Sequence, residues 1–468
     1  MSTAPPAAVT APAEGLVRGL GLLDATTIIV GSVIGSGIFV APSIMAGYVQ
    51  DPALLLGLWV VGGILTLFGA LAYGELAAAM PHAGGQYVFL SKAFSPLWGF
   101  LYGWTFLLAI NTGFVAAVSV AFAKYLGVFL EGVSEDVALV TLGGFRFTTA
   151  QAVGLVVIVA LTYLNIRGLR SGAWVQNVFT VAKVAGVAAL VVLAIGSGRG
   201  SAANLAGAEG LPLGPEGVKL GLFAAMAVAM SKALFAYDAW YSITFAAEEV
   251  KDPERTLPRA LVLGTIGVTV VYCAAVAVYL YMVPIGEMFA VRDNRIAAEA
   301  ASRALGPAGE AFVAVAILIS TFGCVNGLTL AGPRVVYAMA RDGLFFKQMG
   351  QIHARYRTPA RALVLHGVVA AGLTFTGTYS DLLTLTAFSS LLFNILTVVG
   401  LFVLRRRAPT LHRPYRAVGY PVLPALYVAV SAFFLVFILI GDPRNSGLGL
   451  VLTLAGVPAY LYWRRQAT

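Results

Sequence analysis

The densest group of chemically able residues in this chain is TIIVGSVIGSGIFVAPS, where Gly31, Ser32, Gly35, Ser36 and Gly37 crowd the middle of an apolar run. Each glycine costs a helix interior about 1 kcal/mol relative to alanine, so a helix breaks cheaply there. Beyond such a break, the amides of Gly35, Ser36 and Gly37 would head a new half-helix at the positive end of its macrodipole, a seat for a carboxylate. The carbonyls of Val33 and Ile34 would close the preceding half and suit an ammonium. One zwitterion satisfies both ends. Gly31 and Gly35 also make a GxxxG, which serves equally as a helix-packing face. A dinucleotide loop is excluded because no strand precedes the glycines.

A second disturbed stretch, AMSKALFAYDAWYSITFAAEEVKDPERTLPRA, carries Lys232 and Asp238 inside apolar sequence. An ionisable group at the centre of a membrane helix costs about 2.5–3.5 kcal/mol on insertion scales and needs water or partners. Unwinding around Phe235, Ala236 and Asp238 would free carbonyls opposite the first break. Asp238 would then hold a cation or cap the second half-helix. Lys232 reads as a snorkelling or vestibule-lining side chain. Lys183 lies about 15 Å into its apolar run, too deep to snorkel easily, and requires acceptors nearby. Asn111, Thr112, Ser389, Ser390 and Asn394 sit in mid-span, as pocket lining or as hydrogen bonds between helices. Glu75 reads as an inner gate with Arg341 or Arg334, or as a solvated helix end.

The elements that hold these residues follow from composition. Of 468 residues, 59% are hydrophobic and 11% charged, against roughly 45–50% and about 25% in soluble domains. That excludes a soluble domain and a disordered regulator; Cys273 and Cys324 alone exclude a disulfide scaffold and read as packing residues. The fold class is therefore all-α and polytopic, with about twelve spans at about 20 residues each. Five spans fall within 20–195, five within 218–404 and two within 422–463. They are flanked by a disordered tail at 1–19, a basic connector at 405–421 and a short tail at 464–468. If the N-terminus is cytoplasmic, 20 of the 30 Lys and Arg residues lie inside, 7 outside and 3 within spans, so both termini are cytoplasmic. The basic charge thus reports topology, and no nucleic-acid partner is expected. No removable signal precedes the first span. His82, His353, His366 and His412 lack ligand spacing, so neither metal nor cofactor is expected.

The strings GSVIGSGIFVAP, FAYDAWYSITFAAEEVKDPERTLPRA, STFGCVNGLTLAGPRVVYAMARDG and LRRRAPTLHRPYRAVGYPVLPALY occur in order from about Gly19 onward. Together they resemble the L-type amino acid transporters of the amino acid, polyamine and organocation superfamily, in a bacterial form. The resemblance implies a five-plus-five inverted repeat followed by two helices. It implies a substrate carboxylate on the amides of Ser36 and Gly37, an ammonium on the carbonyls of Val33, Phe235 and Asp238, and Phe235 as an aromatic gate. Lys183 would replace a sodium ion, donating to carbonyls from Gly31 to Ile34 and to Ser320 or Thr321. Asp238 stands where many members carry glycine, and Tyr241 where animal members carry asparagine.

The function so implied is secondary active transport by alternating access: sodium-independent exchange of neutral amino acids in the bacterial inner membrane. The alternative is proton-coupled uptake in which Lys183 gives up and regains its proton. Animal relatives join an ancillary glycoprotein through a cysteine after the third span; residues 131–146 contain none, so no disulfide-linked subunit is expected. Neither monomer nor dimer is favoured. The enzyme motifs GxxxxGK[ST], HExxH and GxSxG are missing. A channel remains the other non-enzymatic reading, separated from a carrier by saturable uptake.

Overall fold

The computed structural model describes residues 15–143, 145–206, 213–218, 220–291, 294–375 and 379–467. Most of the expected N-terminal tail, and Lys219 and Arg292 among the basic residues, lie outside the described residues.

Apolar runs bounded by Pro, Gly, Asp and Thr become helices. Asp51 accepts the Leu54 amide at 2.7 Å ahead of Pro52–Ala79, and Thr148 with Gln151 forms a reciprocal cap on Thr149–Ile166. Among the described residues, nine helices are long and apolar enough to cross a membrane. They are Pro52–Ala79, Pro96–Leu126, Thr149–Ile166, Leu169–Gly196, Pro253–Met282, Pro307–Arg341, Leu385–Arg407, Val422–Gly441 and Pro443–Gln466. Three further segments stand where the remaining expected spans fall, and of these only the first passes the same test, as a bent pair. The first span is Leu22–Val33 plus Gly37–Ala46, bent by 40°. The sixth is Leu222–Ala236, a turn, and the 3-10 segment Ser242–Glu249. The ninth is Ala360–Leu373.

The fifth, seventh and eighth spans surround Leu22–Val33, while Gly37–Ala46 packs on Leu222–Ala236. Small residues set the approach: a Cβ on Gly63 would lie 2.3 Å from Thr269 Cγ2, and one on Gly264 2.7 Å from Ile29 Cγ2. Large apolar side chains such as Val156, Val181 and Phe223 face outward, as lipid requires.

The sixth helix stops at Ala236, within the stretch where unwinding is expected. Two boundaries differ from expectation. Arg405, Arg406 and Arg407 form the last turn of the tenth helix, where cations complement the macrodipole, so the connector starts after them. Arg464 and Arg465 likewise end the last helix. A two-stranded antiparallel hairpin, Ala138–Leu142 with Phe145–Thr148, occupies the loop after the third span, its turn helped by Gly143 at φ +52°. The third span also contains a π-helical turn, Phe106–Ile110.

Candidate functional site

The first break begins where Val33 ends its helix and Ile34 leaves helical geometry at φ −74°, ψ 88°. The Gly35 amide turns back to Val33 O at 2.8 Å, so Gly35 is spent within the break. Ser36 and Gly37 then head the second half-helix. Lys183 Nζ, fully buried, donates to Gly31 O at 2.9 Å, Ile34 O at 2.8 Å and Ser320 O at 2.8 Å. An ammonium has three donors, and all are used. Ser320 Oγ adds a bond to Ile34 O at 2.9 Å. This corrects one expectation: both lone pairs of the Ile34 carbonyl are filled from within the protein, leaving it no seat for a substrate ammonium. Of the two expected partners in the eighth span, Lys183 reaches Ser320, while the Thr321 hydroxyl donates to Ile317 O of its own helix.

The second break follows Ala236, and Ala239 turns the chain at φ +67°. Such a conformation strains a non-glycine residue and persists only where surroundings enforce it. Tyr272 of the seventh span joins the two breaks, its hydroxyl 3.0 Å from Val33 O and 3.0 Å from Ala236 O. A phenol has one proton, so one of the two carbonyls keeps acceptor capacity. Gly37 meets Ala236 directly: a Cβ on Gly37 would lie 2.9 Å from Ala236 Cβ. Gly37→Ala is expected to cost about 1–3 kcal/mol of stability through overpacking, with partial recovery in Gly37→Ala/Ala236→Gly, measured as melting temperatures in detergent.

Asp238 is half-buried, and its Oδ2, itself shielded from solvent, lacks a hydrogen-bond partner among the described residues. Its carboxyl faces Ser390, Tyr241 and Asn394. The capping alternative is not realised, since Ser242–Glu249 starts after Tyr241 without a side-chain cap. Phe235 stacks on Phe114, with centroids 5.2 Å apart and planes at 18°.

A cavity of about 990 Å³ runs down between the two half-helices from the end of the molecule marked by Tyr48 and Lys124 to Ser36 and Phe235. Lys232 lies on its wall. A second space of about 40 Å³ continues past Phe235 to Asp238, Asn394 and Ser431. The opposite end is closed. The Gly19 and Leu20 amides donate to Glu249 O at 2.8 and 2.9 Å, and the Lys251 amide returns to Leu20 O at 2.8 Å. Arg334 grips Glu249 with bonds of 2.7 and 3.0 Å, both side chains buried.

The gate expected at Glu75 is also corrected. Its carboxylate takes Arg405 at 2.9 and 2.5 Å, Arg413 at 3.3 Å and the Ala417 amide at 2.7 Å, whereas Arg341 turns to Tyr337 Oη. None of Asn111, Thr112 and Ser389 lines the cavity. Asn111 Oδ1 meets His366 Nε2 at 2.6 Å, and Thr112 bonds Leu107 O at 2.6 Å across the π-helical turn. Ser389 faces the last span at Gly449. Asn111 and Thr112 thus fill polar needs between and within helices, while Ser389 Oγ is buried without a hydrogen-bond partner among the described residues.

Two features escaped sequence reasoning. Tyr272 is one of three tyrosines in its apolar span and carries no local signal. Gln176 and Thr180, which reach Thr27 O at 3.4 and 3.1 Å, share the face of Lys183 at helical spacing, and that polar stripe was readable.

A helical membrane protein with two broken spans facing one blind cavity has the architecture of a carrier. The chain belongs to the amino acid permease family, whose model matches residues 20–460. It is 30% identical over 458 residues to the serine/threonine exchanger SteT of Bacillus subtilis (strain 168), covering 97% of this chain and 98% of that protein. It is 30% identical over 449 residues to the human cystine/glutamate transporter, covering 95% and 85%. The mouse b(0,+)-type amino acid transporter 1 is 30% identical over 448 residues, covering 95% and 88%. The protein is thus a multi-pass amino acid permease and not an enzyme.

Proposed function

We propose that this permease exchanges neutral amino acids by alternating access and without sodium, its two groups of five spans forming an inverted repeat. The observation that carries the reading is Lys183: its ammonium occupies the space between the first break and the eighth span and uses Gly31 O, Ile34 O and Ser320 O as a bound cation would. The substrate carboxylate is assigned to the Ser36 and Gly37 amides. Its ammonium is assigned to Val33 O, Ala236 O and neighbouring carbonyls of Phe235 and Asp238, with Tyr272 yielding its shared bond. Phe235 covers the guest. An open end at Tyr48 and a clasped end at Glu249 give one of the two alternating states. Both termini are assigned to the cytoplasmic side of a bacterial inner membrane, with no disulfide-linked subunit.

Counterflow in proteoliposomes tests this. Labelled L-serine is expected to enter vesicles preloaded with unlabelled L-serine at the same rate in sodium and in choline, and to enter unloaded vesicles far more slowly. Equal entry into loaded and unloaded vesicles would refute exchange, and dependence on sodium would refute the role given to Lys183. One observation favours a second reading, proton-coupled uptake: Asp238 Oδ2 is buried beside a small polar space with no bonded partner among the described residues. Net uptake into unloaded vesicles driven by an inward proton gradient would select it.

A further inference from the structure

Lys232 is unlike the other cations on the cavity wall. At the mouth, Lys124 is paired with Glu135 at 2.5 Å, and the Arg295 guanidinium lies over the Tyr125 ring at 5.6 Å. Lys232 lies deeper, half-buried on the same wall as Ser36 and Phe235, and has neither hydrogen bond nor ion pair among the described residues. Asp442, the carboxylate whose field reaches it, is occupied in capping the last helix, accepting the Asn445 amide at 3.1 Å and Asn445 Nδ2 at 2.9 Å.

The helix fixes where this ammonium stands. Lys232 precedes Ala236 by one turn on the same helix face, and Ala236 is the residue against which Gly37 packs. Lys232 is therefore about 6 Å above the meeting point of the two half-helices, measured toward the open end. Packing alone does not explain a cation here, because its neighbours on the half-helix are Ala, Met, Leu and Ser. A charge-assisted hydrogen bond from an ammonium to a carboxylate is among the stronger contacts a polar cavity offers, and every amino acid supplies that carboxylate.

We propose that Lys232 forms an outer carboxylate subsite, which holds an incoming amino acid by its carboxylate one turn above Phe235 before the guest reaches the Ser36 and Gly37 amides. The assignment rests on the transport reading above and adds a residue to the entry route. The α-carboxylate and an acidic side chain offer the same chemistry, and the test separates them.

Counterflow of L-serine, L-asparagine and L-aspartate is to be compared in wild type, Lys232→Met and Lys232→Arg, at low and high ionic strength. Lys232→Met is expected to raise KM for all three about tenfold with the maximal rate within about twofold, while Lys232→Arg stays near wild type. Wild-type KM is expected to climb with salt and that of Lys232→Met to stay flat. A rise confined to L-aspartate assigns the subsite to the side-chain carboxylate. Unchanged KM values in Lys232→Met, or equal losses in Met and Arg variants with the wild-type salt dependence kept, overturn the subsite. A wild type that takes up the three equally into loaded and unloaded vesicles refutes the exchange reading itself.

Discussion

Lys183→Ala is expected to lower amino acid counterflow by at least about a hundredfold, since hydrogen bonds from a charged donor are each worth about 1.5–3 kcal/mol and three are lost together. The loss is more than energetic. Without the ammonium, Gly31 O and Ser320 O lose the donor that reaches them from the fifth span, and the first half-helix is no longer tied to the eighth. Lys183→Arg is expected to rescue little, because a planar fork cannot converge on three carbonyls arranged around a point charge. Initial rates in proteoliposomes, set beside the melting temperature in detergent, separate lost transport from lost fold. Retained counterflow in Lys183→Ala would remove both the sodium-substitute role and any proton-carrying role for this residue.

Arg334→Met is expected to cost about 3–5 kcal/mol, the penalty for stranding one partner of a buried ion pair. Glu249 is fully buried and its carboxylate is held by Arg334, while its own carbonyl receives Gly19 and Leu20. The single variant should therefore show a large fall in melting temperature and in yield. The double variant Arg334→Met/Glu249→Gln should recover much of it, since a neutral amide needs no countercharge. Equal destabilisation of the single and double variants would mean that the arginine acts through packing alone.

Much of the architecture was legible because the bilayer leaves few choices: apolar length gives the spans, and the glycine cluster at Gly31 to Gly37 announces a break whatever surrounds it. Lys183 was equally legible, since an ammonium so deep must find carbonyls, and a helix break is where carbonyls are exposed. What failed was partner choice. Glu75 is held by arginines of the tenth span and the connector, far away in sequence, and no local rule selects Arg405 over Arg334. Asn111, Thr112 and Ser389 were open to two readings for another reason: a mid-span polar group serves helix pairing as readily as substrate, and sequence alone does not choose between them. Tyr272 could not be found at all, because its meaning lies in two carbonyls belonging to different spans.

That tyrosine ties the two breaks to each other. Its one hydroxyl lies 3.0 Å from Val33 O and 3.0 Å from Ala236 O, so a shift of either half-helix disturbs the same proton and is felt by the other.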